Sequence, residues 1–162
     1  MPVDTQIIEI LGRNRLAAEL LRDGLEVASP VRDRGIDLIA YADLGRQVSN
    51  FVARPIQMKA ASGRTFGVER KYERIADIII AYVWFVDGAQ PAVTYALSYP
   101  EAVGLAERMG WTATESWAKG RYVTNNPVDR LVQLLEPFRI VPGRWWDLIT
   151  GRPAAESVAP SS

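Results

Sequence analysis

The chain has 162 residues, 48% of them hydrophobic, with 19 acidic and 19 basic side chains. That length suits one globular domain with a full core, expected over residues 1–150, and the zero net charge argues against strong, indiscriminate nucleic-acid binding. The absence of His and Cys excludes Ser-His-Asp and Cys-His nucleophilic machinery, the usual zinc sites and any disulfide framework. Residues 7–22 read as a helix, with Ile7, Ile10, Leu11, Ala17, Ala18 and Leu21 on one side and Gly24 as its stop. Residues 25–28 form a short strand ending before Pro30, and residues 36–42 a second. A turn around Gly45 leads to a third strand over 51–60, where Pro55 favours an edge position or a bulge. Residues 64–74 are a polar connection ending in a short helical turn. Residues 78–86 are a near-continuous apolar run, expected as a central strand covered on both faces. Asp87-Gly88 starts a turn into a strand over 92–98. Helices follow over 100–109, with Gly110 as the stop, over 127–137, and for a turn or two over 144–150. Residues 151–162 are small and polar, an expected disordered tail.

Two strings carry the chemistry: Gly35-Ile36-Asp37-Leu38-Ile39-Ala40 and Ile56-Gln57-Met58-Lys59. Side chains alternate along a strand, so Gln57 and Lys59 point the same way. Asp37 lies in an apolar run, where an unpaired carboxylate is costly. If the two strands pair, an acid, an amide and a lysine meet at one spot, suited to a divalent metal and a water beside a phosphate. Without His or Cys, the metal has to be a hard, oxygen-liking one such as Mg²⁺. Around this strand, residues 44–75 hold seven basic side chains against Glu69 and Glu73. Of these, Arg64, Arg70 and Lys71 are candidate contacts to a nucleic-acid backbone. Arg32 and Arg34, in the loop before Asp37, fit either phosphate contacts or a surface ion-pair cluster with Asp33. Trp145-Trp146 fits the lid of an apolar groove or the contact of a homodimer.

The order of elements gives an α/β domain, a mixed sheet of about five strands with helices against it. Together with Ala17-Ala18-Glu19-Leu20-Leu21, Gly24-Leu25-Glu26-Val27, Pro30, the Asp37 string and Gln57-Met58-Lys59, it resembles the PD-(D/E)xK nuclease superfamily, with its restriction-endonuclease-like fold. The likeness is greatest to the branch with Holliday-junction resolvases and Mrr-like enzymes. The resemblance covers about the first sixty residues. It implies metal-dependent hydrolysis of DNA, duplex or branched. Asp37 and Gln57 would be metal ligands, joined by the Met58 backbone carbonyl, and Lys59 would orient the attacking water. Mg²⁺ or Mn²⁺ would be the cofactor. Where many relatives carry a helical Glu, this chain has Arg13, with Asn14 next to it. Helical projection puts Asn14 near the centre of the apolar side and Glu19 away from it; these two are the candidate helix contributors. With Gln57 neutral and that Glu absent, the metal would bind weakly. The alternative is a weak or inactive nuclease-fold domain that binds DNA or a protein partner; a third is an interaction protein without nucleic acid. No run approaches the ~18 apolar residues of a membrane span, and Met1-Pro2-Val3-Asp4 does not open a signal peptide. A cytoplasmic location with no membrane partner is expected.

Overall fold

The computed structural model describes residues 4–42, 48 and 50–151. Helix α1 (Thr5–Arg22) opens on Asp4, whose carboxylate accepts the Gln6 N–H at 2.9 Å. Strands β1 (Glu26–Ala28), β2 (Leu38–Ala42) and β3 (Val52–Ala60) form an antiparallel meander. The crossover after β3 contains a strand, β4 (Phe66–Glu69), and a 3-10 turn over Arg70–Arg74. Strand β5 (Ile79–Trp84) then runs parallel to β3, and β6 (Val93–Ser98) antiparallel to β5. The main sheet has the order β1-β2-β3-β5-β6. Helices α2 (Tyr99–Arg108) and α3 (Glu115–Ala118) follow, then β7 (Arg121–Thr124), which pairs with β4 in a separate two-stranded ribbon. Helices α4 (Asp129–Leu135) and α5 (Arg144–Thr150) close the chain. The fold is α/β, a mixed five-stranded sheet flanked by helices. Among the described residues no helix is long and apolar enough to cross a membrane. The turn around Gly45 and residues 152–162 of the tail lie outside the described residues.

One face of the sheet packs Leu38, Ile56, Met58 and Ile79 against Leu16 and Leu20 of α1 and Trp145 of α5. The other packs Ile80, Tyr82 and Leu97 under Phe66 of β4, Leu105 of α2 and Leu131 of α4. Every residue of β5 is buried, as its apolar run requires. Polar tips on β5 also hold the ribbon. The Tyr82 hydroxyl donates to the Gly67 carbonyl and the Trp84 indole N–H to the Thr65 carbonyl, each at 2.7 Å.

Three expectations are corrected. Pro55 lies inside β3, an interior strand, opposite Ile39 of β2. It is tolerated because pairing with β5 begins only at Ile56, so no ladder hydrogen bond is lost at residue 55. The polar connection over 64–74 contains β4, whose partner β7 lies far along the chain. Most consequential is α1, which turns the opposite way from its expected stripe. Ile8, Gly12, Leu16 and Leu20 are buried, whereas Ile7, Ile10, Leu11 and Leu21 are exposed. Gly12 decides this. A Cβ there would stand 2.6 Å from Ala60 Cβ and 2.9 Å from Met58 Sδ, so the helix backbone rests on β3 along its glycine edge. Gly12→Ala is therefore expected to cost about 1–3 kcal/mol through overpacking, outweighing the gain of about 1 kcal/mol in helix propensity. Urea denaturation would read this as a lower midpoint at unchanged slope.

Candidate active site

The candidate residues gather where β3 outruns β2. In a strand the N–H and C=O of one residue point to the same edge. Ile56 serves β2, and its carbonyl accepts the Asp37 N–H at 2.9 Å. Met58, two residues on, faces the same way, but β2 begins at Leu38, opposite Ile56. Its main-chain groups are met by side chains instead. Asp37 Oδ2 accepts the Met58 N–H at 2.7 Å, and Gln57 Nε2 donates to the Met58 carbonyl at 3.1 Å. Asp37 and Gln57 thus meet at the main chain of Met58.

This corner has an unmet acceptor. Gln57 Oε1 is buried and accepts no hydrogen bond among the described residues. A half-turn of the amide would exchange Oε1 for Nε2 and set two acceptors, Oε1 and the Met58 carbonyl, side by side. A cation between them would satisfy both. The donor set is an amide oxygen, a carbonyl and a carboxylate, which suits a hard divalent ion. It also contains only one charge. Among the described residues no three His, Cys, Asp or Glu side chains cluster as metal ligands.

The Asp37 carboxyl titrates above its ordinary range. Burial raises it, the Met58 N–H lowers it, Asp33 raises it and the Arg13 guanidinium lowers it. Arg13 Nη2 stands 4.0 Å from Asp37 Oδ1, so a cation occupies the position where the family resemblance leads one to look for a carboxylate. The raised value means that ionising Asp37 costs the folded state. The stability tied to the protonated form is complete below the unfolded value and is lost as pH rises through the folded one. Asp37→Asn is accordingly expected to melt above wild type at neutral pH. The two should converge below the ordinary Asp range of about 3.9, which thermal melts across pH would check.

Lys59 shares a face with Gln57 but is engaged elsewhere. Its Nζ lies 3.3 Å from Glu69 Oε2 and 3.5 Å from the Tyr72 hydroxyl. Glu69, 8% exposed, also meets Lys71 at 3.2 Å and Arg121 at 3.8 Å. Burial alone would raise its carboxyl; the Tyr72 hydroxyl, Lys59 and Lys71 outweigh that and pull it down to about 2. Tyr72 ties the two halves of the corner together. Its hydroxyl titration is raised by burial, by Glu69 and by the charge of Asp37. Its ring limits the loop before Asp37, since a Cβ on Gly35 (φ 90°) would touch Tyr72 Cε1 at 3.4 Å.

The structure places the helix candidates away from this corner. Asn14 is exposed, on the side of α1 turned from β3, because Gly12 rather than the apolar stripe meets the sheet. Glu19 pairs with Arg15 at 3.0 Å and accepts from the Thr94 hydroxyl at 2.8 Å and the Trp145 indole at 3.1 Å. Thr94 lies on β6, the sheet edge remote from β2. The basic candidates divide. Arg32 and Arg34 are exposed in the loop before Asp37. Arg64 is 3.8 Å from Asp129. Arg70 and Lys71 line an open groove of about 730 Å³ with Arg74, Lys119 and Arg121, against Glu69 and Glu73. Arg70 also lies over the Trp117 ring at 5.9 Å. Comparisons of the chain with protein-family models, curated proteins and solved structures give no match. Sequence reading missed Glu69 and Tyr72 as partners of Lys59, and Lys119 and Arg121, which arrive with β7 beside β4.

Proposed function

We propose that this protein is a cytoplasmic, metal-dependent endonuclease of the PD-(D/E)xK type that hydrolyses phosphodiester bonds in DNA. The supporting observation is the buried, unpartnered Gln57 Oε1, on the amide whose Nε2 sits on the Met58 carbonyl close to the Asp37 carboxylate; a half-turn of that amide would bring Oε1 beside the other two oxygens. These three oxygens would hold Mg²⁺ or Mn²⁺, weakly because only Asp37 is charged. The ion, when bound, supplies Lewis-acid stabilisation of the phosphate and a more acidic water. Lys59 neutralises charge on the phosphate and positions the nucleophile. It can leave Glu69 to do so, because Lys71 and Arg121 stay with that carboxylate. The groove along Arg70, Lys71, Arg74, Lys119 and Arg121 would carry the sugar-phosphate backbone by charge, without reading sequence.

A second reading is favoured by Arg13. A guanidinium 4.0 Å from the single carboxylate competes with a divalent cation, and a domain in which it wins would bind DNA or a protein partner without cutting. Incubation of purified protein with supercoiled, linear and branched DNA in Mn²⁺ separates the two. The proposal expects nicking or cleavage that is lost in Asp37→Ala and in chelator. Binding without cleavage in every metal would sustain the second reading.

A further inference from the structure

Helix α1 carries an apolar stripe whose large side chains the described residues leave exposed. At about 100° per residue, Ile7, Ile10, Leu11, Asn14, Ala17, Ala18 and Leu21 project to the side opposite the Ile8–Gly12–Leu16–Leu20 edge on the sheet. Ile7 is 52% exposed, Ile10 57%, Leu11 38% and Leu21 54%. Four large aliphatic side chains exposed in one line on one helix mark a contact surface rather than scattered surface apolarity.

We propose that this stripe is covered by α1 of a second copy of the chain, packed antiparallel about a two-fold axis at Asn14. An isologous contact requires that residue i meets j and that j meets i. The stripe meets that condition about Asn14: Ile7 faces Leu21, Ile10 faces Ala17 and Leu11 faces Ala18. The volumes agree as well. The large Ile10 and Leu11 lie in the N-terminal half, and Ala17 and Ala18 in the C-terminal half. Antiparallel packing sets large against small, whereas parallel packing stacks large on large and leaves a gap between alanines. Charge selects the same direction. Asp4, the N-cap, and Arg22, in the last turn, stand at opposite ends of α1. Antiparallel packing brings Asp4 of each copy near Arg22 of the other, at both ends, and opposes the helix dipoles. At the axis two Asn14 amides can exchange hydrogen bonds, which lets a polar residue sit in the middle of the stripe.

The full-length protein is expected to be a dimer in the micromolar range by sedimentation equilibrium. Ile10→Glu should be monomeric with an unchanged circular-dichroism spectrum, because residue 10 lies outside the core. Arg22→Glu should weaken the dimer several-fold. Asp37→Ala, which abolishes the proposed hydrolysis, should leave it intact. The chain has no Cys, so single introduced thiols report direction. Under mild oxidation Asn14→Cys should cross-link to itself. Ile7→Cys should cross-link to Leu21→Cys but not to itself. A wild-type monomer at every concentration, a dimer that survives Ile10→Glu, or self-cross-linking of Ile7→Cys would overturn the assignment.

Discussion

Lys59→Ala is expected to lower the rate of DNA cleavage by about 10²–10⁴-fold, the range associated with removing a positioned proton-transfer or charge-stabilising group. The fold should survive, because Glu69 keeps Lys71 at 3.2 Å and Arg121 at 3.8 Å. It is therefore not left as an unpaired buried charge. DNA affinity should change little, since a single lysine is one phosphate contact among several. A single-turnover cleavage assay beside an anisotropy binding assay separates the two effects. Cleavage at the wild-type rate in Lys59→Ala would locate the activity elsewhere.

The second large effect concerns Arg13. Arg13→Glu changes the local charge by two units, 4.0 Å from the Asp37 carboxylate. Without metal the new carboxylate repels Asp37 and raises its pKa further, so the variant should be less stable than wild type near neutral pH. With Mn²⁺ the order reverses. A second anionic ligand in place of a competing cation should tighten metal binding by about tenfold or more, since ligand charge tunes hard-metal sites over several decades. The metal-induced rise in melting temperature should grow accordingly, because stabilisation follows occupancy of the folded state. Calorimetric titration of wild type, Arg13→Glu and Asp37→Ala would test this. Equal metal response in all three would mean that no metal is held at Asp37.

The sheet was readable because its strands carry simple patterns. The unbroken apolar run of β5 requires burial on both faces, and the alternation of Ile56-Gln57-Met58-Lys59 places Gln57 and Lys59 on a single face. Helix α2 was equally legible. Pro100 stands in its first turn, and Gly110 takes the left-handed conformation (φ 79°) just past its end. The orientation of α1 was not readable, because the helix has two apolar stripes. Hydrophobicity favours the one with Ile7, Ile10 and Leu11, while the close approach of Gly12 to Ala60 selects the other. Expecting Asn14 near the site followed from that choice. The meeting of Glu69 with Arg121 was hidden for a different reason. β4 is a short strand whose pairing with β7, from Phe66 opposite Thr124 to Glu69 opposite Arg121, is a long-range contact with no local signature.

Asp37, Gln57 and the Met58 carbonyl are the proposed divalent-cation site. Crystals soaked in Mn²⁺ and measured near the manganese absorption edge test it most directly. One anomalous peak is expected about 2.0–2.4 Å from an Asp37 oxygen and the Met58 carbonyl, with the Gln57 amide turned to present Oε1 and Arg13 displaced. An absent peak, with Arg13 still beside Asp37 and Gln57 Nε2 still on the Met58 carbonyl, would contradict it.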